Sequence, residues 1–176
     1  MFEEGGRLFL VCEFYAGQPL DELLADGRRL ALAPARLLLK QAAGALDYVH
    51  SRGLLYGFLN PAMVLVSREG LVKLMDIAVA HGMRLAGKQA VGADSSSFCA
   101  YWAPELARGQ ATVESDLFSL AAIACELLSG RQADAARSAA MRPSLEAVFR
   151  RALHADPRQR YHSGAELMAA LEGVRL

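Results

Sequence analysis

The longest apolar stretch of the chain, from Leu117 to Cys125, constrains the fold most because side chains of this kind have to leave water. Glu126 closes the stretch with a charge. A membrane-spanning helix needs about 20 consecutive apolar residues, and this run is far shorter. The pattern therefore predicts a helix buried inside a water-soluble domain.

The chain has the size of one domain and the composition of a folded one. Its 176 residues fit a single domain, because about 100–200 residues per domain is the usual range. Hydrophobic residues make up 53% of the sequence and charged residues only 22%. Disordered segments have the opposite balance, so we expect a sizeable buried core.

Charge and cysteine content argue against several classes of protein. Nineteen Lys and Arg residues balance nineteen Asp and Glu residues, and a neutral chain lacks the attraction for nucleic acid or anionic membranes. Cys12, Cys99 and Cys125 lie far apart, which predicts neither a zinc site nor a disulfide framework. The first residues lack the basic start of a secretory signal. We expect a reduced cytoplasmic protein that binds neither nucleic acid nor membrane.

The first half of the chain predicts a strand, two helices and a hairpin. Residues 7–14 form a nearly continuous apolar run, typical of a strand covered on both faces. A short helix is expected at 19–25, and a longer one follows Pro34, with an apolar stripe at helical spacing and Gly53 at its end. Residues 63–66 and 71–75 predict a β-hairpin around a four-residue turn that ends in glycine.

The second half predicts a long loop followed by helices. Periodicity disappears from 78 to 102, where Gly, Ser and Ala dominate. Helical spacing returns at 115–129, 144–154 and 163–172, and the last helix opens on the capping box Ser163 to Glu166. The fold class is therefore mainly α, with a small β-hairpin and one N-terminal strand.

Six segments follow one another along the chain, at 8–17, 56–65, 72–78, 103–105, 115–120 and 156–160. In order and spacing they resemble motifs of the protein kinase family. Residues 56–65 lie where the catalytic loop H-R-D-L-K-P-x-N would lie, and residues 72–78 take the place of the D-F-G strand and turn. The other four are a strand and hinge at 8–17, an intact A-P-E at 103–105, the start of the central helix at 115–120 and a closing D-P-x-x-R at 156–160. The resemblance implies the last small-lobe strand and hinge at 1–17 and the large C-terminal lobe at 18–176.

The departures from the family pattern fall on the catalytic residues. Phe58 stands where the family has the aspartate that accepts the substrate proton, and a phenyl ring accepts none. Met63 stands at the second metal position, where a thioether suits Mg²⁺ poorly. Asn60 replaces the loop lysine. Gly57 replaces the arginine that would receive a phosphate on Ser95, Ser96 or Ser97.

The resemblance also implies that elements are missing. A glycine-rich loop, the V-A-I-K lysine and its partner glutamate should all precede residue 7, where the sequence leaves no room for them. Residues 131–143 are short and alanine-rich where the family has another helix. We therefore expect a truncated kinase-like domain.

Three residues of the resemblance have structural roles in the family. It implies a buried ion pair between Glu105 and Arg160, which a fold can retain for stability alone. It also implies that Asp116 accepts hydrogen bonds from backbone amides of the catalytic loop.

Other positions have a functional and a plain interpretation. Asp76 matches the metal-binding aspartate, but its co-ligand position is Met63. Glu13 and Tyr15 belong to the hinge that could offer backbone groups to an adenine, but the ordinary pairing of a strand end is the favoured interpretation. Phe58 and Met63 are interpreted as apolar filling of the former cleft. The histidines are scattered, which favours surface or helix-end positions over catalysis; they are His50, His81, His154 and His162.

Two functional hypotheses follow. The first is a catalytically inactive kinase-like domain, a pseudokinase, that acts as a scaffold or regulator by binding another chain, or itself, through the N-terminal strand. It needs no cofactor. The alternative is part of a serine/threonine protein kinase that uses ATP and Mg²⁺, with its small lobe supplied by another chain or by lost upstream sequence. A decaying gene fragment without a role is the third possibility.

Overall fold

The computed structural model describes residues 2–9, 11–77, 99–131 and 143–174. The strands are β1 (Phe2–Glu4), β2 (Arg7–Phe9), β3 (Gly17–Pro19), β4 (Val64–Ser67) and β5 (Val72–Leu74). The α-helices are α1 (Leu20–Leu24), α2 (Leu32–Ser51), α3 (Val113–Ser129), α4 (Pro143–Ala152) and α5 (Gly164–Glu172). The prediction of a mainly helical domain with a small hairpin is confirmed.

Helix α3 forms the centre of the core, as its apolar sequence predicts. Thr112 and Ser115 close a reciprocal capping box at its start, and Gly130 ends it in the left-handed region at φ 68°. Buried residues occupy nearly every turn between these caps. In the part of the chain that the structure describes, this and the other helices are too short or too polar to cross a membrane.

Helix α2 packs against both α3 and α5, and polar contacts fix the last helix in place. Asp47 on α2 accepts hydrogen bonds from the backbone N–H groups of Gly164, at 2.6 Å, and Ala165, at 2.9 Å. At the other end of α5, Arg36 donates to the carbonyls of Leu171 and Val174. Helix α2 therefore caps both ends of α5, which satisfies backbone groups that a helix leaves unpaired.

The sheet has three antiparallel strands in the order β3, β4, β5. The hairpin of β4 and β5 is confirmed, with a turn at 67–70 in which Gly70 has φ 78°. The pairing of β3 with β4 is an addition that the sequence did not predict. Gln41 joins this hairpin to α2, because its side chain bonds to the Gly70 carbonyl and the Val72 amide.

The prediction of a covered strand at 7–14 is wrong. Strand β2 ends at Phe9 and pairs with β1 in a separate two-stranded sheet. Two consecutive glycines with positive φ, Gly5 and Gly6, make the tight turn between them. Val11 and Phe14 lie outside any strand and are exposed, so apolar composition did not correspond to burial here.

Most of the predicted long loop lies outside the described residues, as do His81 and the three serines Ser95, Ser96 and Ser97. The described end of that stretch contains a 3₁₀ turn at Cys99–Tyr101.

Candidate functional site

The candidate site is centred on the segment between α2 and β4, which corresponds to the catalytic loop of the kinase pattern. Its residues 56–61 are all buried. Asp116, in the first turn of α3, accepts hydrogen bonds from the N–H groups of Tyr56 at 2.9 Å and Gly57 at 2.6 Å. The structure thus brings Asp116 onto the loop backbone as the resemblance implied. Its carboxylate fixes the loop whatever side chains the loop carries.

His50 also contacts Asp116, and the sequence interpretation missed this contact. It lies at the end of α2, but it is not a surface residue: its side chain is only 8% exposed. Its Nε2 atom lies 2.8 Å from Oδ2 of Asp116. The sequence signal was available, because His50 stands four residues after the buried Leu46 and therefore on the buried face of the helix.

The position of the catalytic base is filled by an aromatic ring. Phe58 is 7% exposed and meets Trp102 edge-on, with 5.2 Å between the ring centroids. Trp102 directly precedes the A-P-E segment, so this contact joins the catalytic-loop position to that segment. An edge-on aromatic pair is a favourable packing arrangement. The two rings form one apolar unit where the kinase pattern has a carboxylate.

Asn60, at the position of the loop lysine, serves the local backbone. Its Oδ1 accepts from the Ala62 N–H at 3.0 Å, and its Nδ2 donates to the Phe58 carbonyl at 3.2 Å. The side chain caps the 3₁₀ turn Pro61–Met63 and is 5% exposed. Asn60 is therefore committed to folding the loop.

Tyr56, two residues before Phe58, does not offer a proton acceptor. Burial raises the pKa of its hydroxyl far above the ordinary value, and the negative charges of Asp76 and Asp116 raise it further. The hydroxyl oxygen is buried and has no hydrogen-bond partner among the described residues. Tyr56 stays a neutral phenol at physiological pH.

The metal position holds one carboxylate. Asp76 is exposed and has φ 61°, a left-handed conformation that a non-glycine residue seldom adopts. At the position where the kinase pattern has a second metal ligand, this chain has the half-buried Met63, which offers a thioether. The described residues contain no group of three His, Cys, Asp or Glu side chains that could hold a metal ion. Because Mg²⁺ requires oxygen ligands, these residues do not fit the metal pair of the kinase pattern.

The predicted hinge residues Glu13 and Tyr15 contact the hairpin of β4 and β5. Glu13 pairs with Lys73 on β5, and the Nζ atom of Lys73 lies 4.7 Å from the centre of the Tyr15 ring. The Tyr15 hydroxyl donates to the Leu71 carbonyl at 3.0 Å. These side chains attach the hinge to the three-stranded sheet. The adenine role of Glu13 and Tyr15 stays a prediction.

The structure brings together the predicted ion pair across fifty-five residues of sequence. Arg160 donates to both carboxylate oxygens of Glu105, at 2.7 and 2.8 Å, and Ser115 Oγ donates to the same carboxylate at 2.7 Å. Burial alone would raise the pKa of Glu105, but the hydrogen bonds from Arg160 and Ser115 outweigh it and lower the pKa. The guanidinium also donates to the carbonyls of Glu114, His154 and Ala155.

Comparison with known proteins gives one consistent answer. The family model described as protein kinase domain matches residues 1–167. Serine/threonine-protein kinase PknA of Mycobacterium tuberculosis is 30% identical over 98% of this chain, which spans 44% of that protein. PknA of Corynebacterium glutamicum is 30% identical over 96% of the chain, which spans 39% of that protein.

Solved structures agree with the sequence comparison. The crystal structure of the Mycobacterium tuberculosis PknI kinase domain superposes with a TM-score of 0.68 at 25% identity. The match covers 91% of this chain and 63% of that one. A family model that matches most of the sequence, together with a shared fold, shows that this chain belongs to the protein kinase family.

Proposed function

We propose that this chain is a pseudokinase domain, a member of the protein kinase family that transfers no phosphate and acts as a scaffold or regulator by binding another protein. The observation that carries the proposal is Phe58, buried against Trp102 at the position of the catalytic base. Phosphoryl transfer to a hydroxyl needs a residue that accepts or orients its proton, and a phenyl ring does neither.

The neighbouring carboxylate does not compensate for Phe58. Asp116 has no exposed surface and already accepts from two backbone N–H groups beside its contact with His50. A substrate hydroxyl could reach it only if these contacts broke and the loop moved. This supports a structural role for Asp116.

The metal position supports the same proposal. In an active kinase, Mg²⁺ bridges the ATP phosphates and neutralises the charge that develops on them. Here the two positions offer one carboxylate and one thioether, and Asn60 is occupied with its own backbone turn. We expect neither ATP nor Mg²⁺ to be required by this domain.

An active serine/threonine kinase is the second candidate, and Asp76 is the observation that favours it. This residue keeps an uncommon left-handed backbone at the D-F-G position. The PknA proteins of Mycobacterium tuberculosis and Corynebacterium glutamicum, to which the chain is similar, are named serine/threonine-protein kinases. Under this alternative the chain would be one part of an ATP-dependent enzyme.

Nucleotide binding and phosphate transfer distinguish the two candidates. Trp102 is the only tryptophan of the chain, so its fluorescence reports directly on the site. We expect no Mg²⁺-dependent change in Trp102 fluorescence or in Tm when ATP is added, and no transfer of labelled γ-phosphate to a mixture of Ser/Thr peptides.

If ATP binding or phosphate transfer is detected, a matched pair of variants shows whether the metal position is responsible. Asp26 and Asp76 are both exposed aspartates with positive φ, but only Asp76 lies at the metal position. Magnesium-dependent stabilisation by ATP and phosphate transfer, both abolished by Asp76→Ala and unchanged by Asp26→Ala, would establish the enzyme instead.

A further inference from the structure

The outer face of α2 exposes large apolar side chains at helical spacing. Residues 37, 41, 44 and 48 are separated by four, three and four positions, so they lie in one row along the helix. Leu37 and Tyr48 in this row are 66% and 60% exposed. Leu71, directly after the turn of the hairpin of β4 and β5, is 57% exposed. These residues, with Gln41 and Gly44, are called the α2 stripe, and apolar residues exposed together in this way mark a binding surface.

Polar contacts hold Leu71 beside the helix. The Gln41 side chain donates to the Gly70 carbonyl at 2.8 Å and accepts from the Val72 N–H at 3.0 Å. The Tyr15 hydroxyl donates to the carbonyl of Leu71 itself. Because both neighbours of Leu71 are bonded to α2, its side chain keeps a fixed place next to the row. Gln41 already uses the oxygen and the nitrogen of its side chain, so the stripe offers a partner mainly apolar contact.

Gly44 is the member of the stripe that internal packing does not explain. It is exposed in the middle of a 20-residue helix, and a Cβ atom added to it would meet nothing within 4 Å. A glycine inside a helix costs about 0.5–1 kcal/mol relative to alanine. In the described part of the chain no close contact offsets this cost. The glycine does leave a notch between Leu37 and Tyr48, where a side chain of another molecule can approach the helix backbone.

Two arginines beside the stripe have no carboxylate partner. Arg52, one turn after Tyr48, has its guanidinium carbon 5.0 Å from the centre of the Tyr48 ring. Arg68 is exposed in the turn that precedes Leu71. Residues 11–77 are described without a gap, and the ion pairs among the described residues include neither arginine.

The carboxylates that border the stripe are already engaged within the chain. Asp47 accepts from two backbone N–H groups of α5, and Glu69 accepts from the Ser67 hydroxyl. Glu172 pairs with Lys40 at 3.0 Å. The charge left over around the stripe is therefore positive, and a complementary partner carries acidic residues.

A second copy of the chain does not meet this requirement. Packing two α2 stripes against each other would bring Arg52 and Arg68 of both copies to one interface and would supply no free carboxylate. Like charges placed together in an interface are unfavourable. The occupant that the charges favour is a different protein.

We propose that the α2 stripe binds an amphipathic helix of a partner protein, with a large apolar side chain in the notch at Gly44 and Asp or Glu residues on both sides of its apolar row. The inference rests on the proposed function, since it names the partner class of the same binding module. Helices bind grooves through apolar residues that recur every three or four positions. From Leu37 to Tyr48 the stripe is about 16 Å long, which matches three turns of such a helix.

The test uses the full 176-residue chain and a phage-displayed library of helical peptides in which the residues of one face are varied. The selected peptides should carry Leu, Ile or Phe at helical spacing with Asp or Glu beside them. The best peptide is then labelled with fluorescein, and its affinity is measured by fluorescence anisotropy. Because the chain has no net charge, non-specific attraction to acidic peptides is small.

Variants of the stripe separate binding from stability. Gly44→Leu should weaken binding roughly tenfold or more, because the notch is filled, while the fold has open space for the new side chain. Gly44→Ala should raise Tm slightly and still weaken binding, a combination that a purely structural role would not produce. Arg52→Glu should weaken binding of the acidic peptide about fivefold. The controls are Ala147→Leu and Arg150→Glu on the exposed side of α4, which should leave the affinity unchanged.

Four results would overturn the proposal: no peptide selected above background, selected peptides without an excess of acidic residues, affinity unchanged by Gly44→Leu, or a dimer in sedimentation velocity that Gly44→Leu dissociates. The last result would assign the stripe to a second copy. These measurements use no nucleotide, so their failure is distinct from the detection of kinase activity.

Discussion

Replacing Arg160 by alanine tests the assignment of the large-lobe scaffold most directly. Arg160 is 1% exposed and donates two hydrogen bonds to Glu105. In Arg160→Ala the Glu105 carboxylate stays buried with Ser115 as its remaining side-chain donor, and the three carbonyls that the guanidinium served lose a donor as well. Removing one partner of a buried ion pair costs about 3–5 kcal/mol.

The expected fall in Tm follows from the size of the protein. One kcal/mol shifts the Tm of a domain of this length by about 2–4 °C, so Arg160→Ala should lower Tm by about 6–20 °C. Differential scanning calorimetry measures this shift. Arg158→Ala is the matched control, since Arg158 lies two residues away and is exposed, and it should change Tm little. The double variant Glu105→Leu with Arg160→Met should recover part of the loss, because no charge is left unpaired.

The same ion pair predicts a pH dependence. The pKa of Glu105 is lower in the folded chain than its ordinary value, so its stabilising contribution is present above that ordinary value. The contribution is lost as the pH falls through the lower, folded-state pKa. Arg160→Ala should flatten the fall of Tm in acid. If Arg160→Ala melts within 1–2 °C of the parent, roughly the effect of a neutral surface change, the pairing of the two segments is refuted.

Five further variants test three single features of the fold. Burial raises the pKa of Glu126 above its ordinary value, so its contribution to stability is lost as the pH rises through the raised pKa. Glu126→Gln, which keeps an acceptor for Tyr101, should therefore raise Tm at pH 7 and leave it unchanged near pH 3. Gly164→Ala, whose Cβ would lie 2.6 Å from a backbone oxygen of α2, should cost about 1–3 kcal/mol in urea unfolding, whereas Gly44→Ala, with open space around it, should stabilise α2 slightly. Phe58→Asp should melt well below Phe58→Leu, because only the first buries a charge.

The helices could be predicted from the sequence because their signals are local. Helix α3 was expected at 115–129 and is found at Val113–Ser129, and the predicted 163–172 corresponds to Gly164–Glu172. Both have caps in the sequence and an apolar pattern that persists over several turns. Strand β3 lacked such a signal, since its three residues Gly17–Pro19 acquire strand geometry only through pairing with β4.

The sequence predicted only those site residues that belong to a recognisable motif. Glu105, Arg160 and Asp116 were identified because the kinase resemblance assigns them partners, and the structure places them in contact with those partners. The contact of His50 with Asp116 joins residues sixty-six positions apart and belongs to none of the motifs used. Its side chain was therefore interpreted from the scatter of histidines alone, which carries no information on burial.

The carboxylates of the site divide according to what neutralises them. Asp116 and Glu105 have partners within the chain, namely backbone N–H groups for the first and Arg160 for the second, so their burial is stable without any ligand. Among the described residues, a carboxylate at position 58 would face the Trp102 ring in place of such a partner, and metal-bound nucleotide and substrate would have to offset its burial. Once a chain no longer binds those ligands, an apolar ring against Trp102 becomes the more stable choice at that position. The relative stabilities of Phe58→Asp and Phe58→Leu measure this difference, and equal stabilities would remove the physical reason for expecting the carboxylate to be lost.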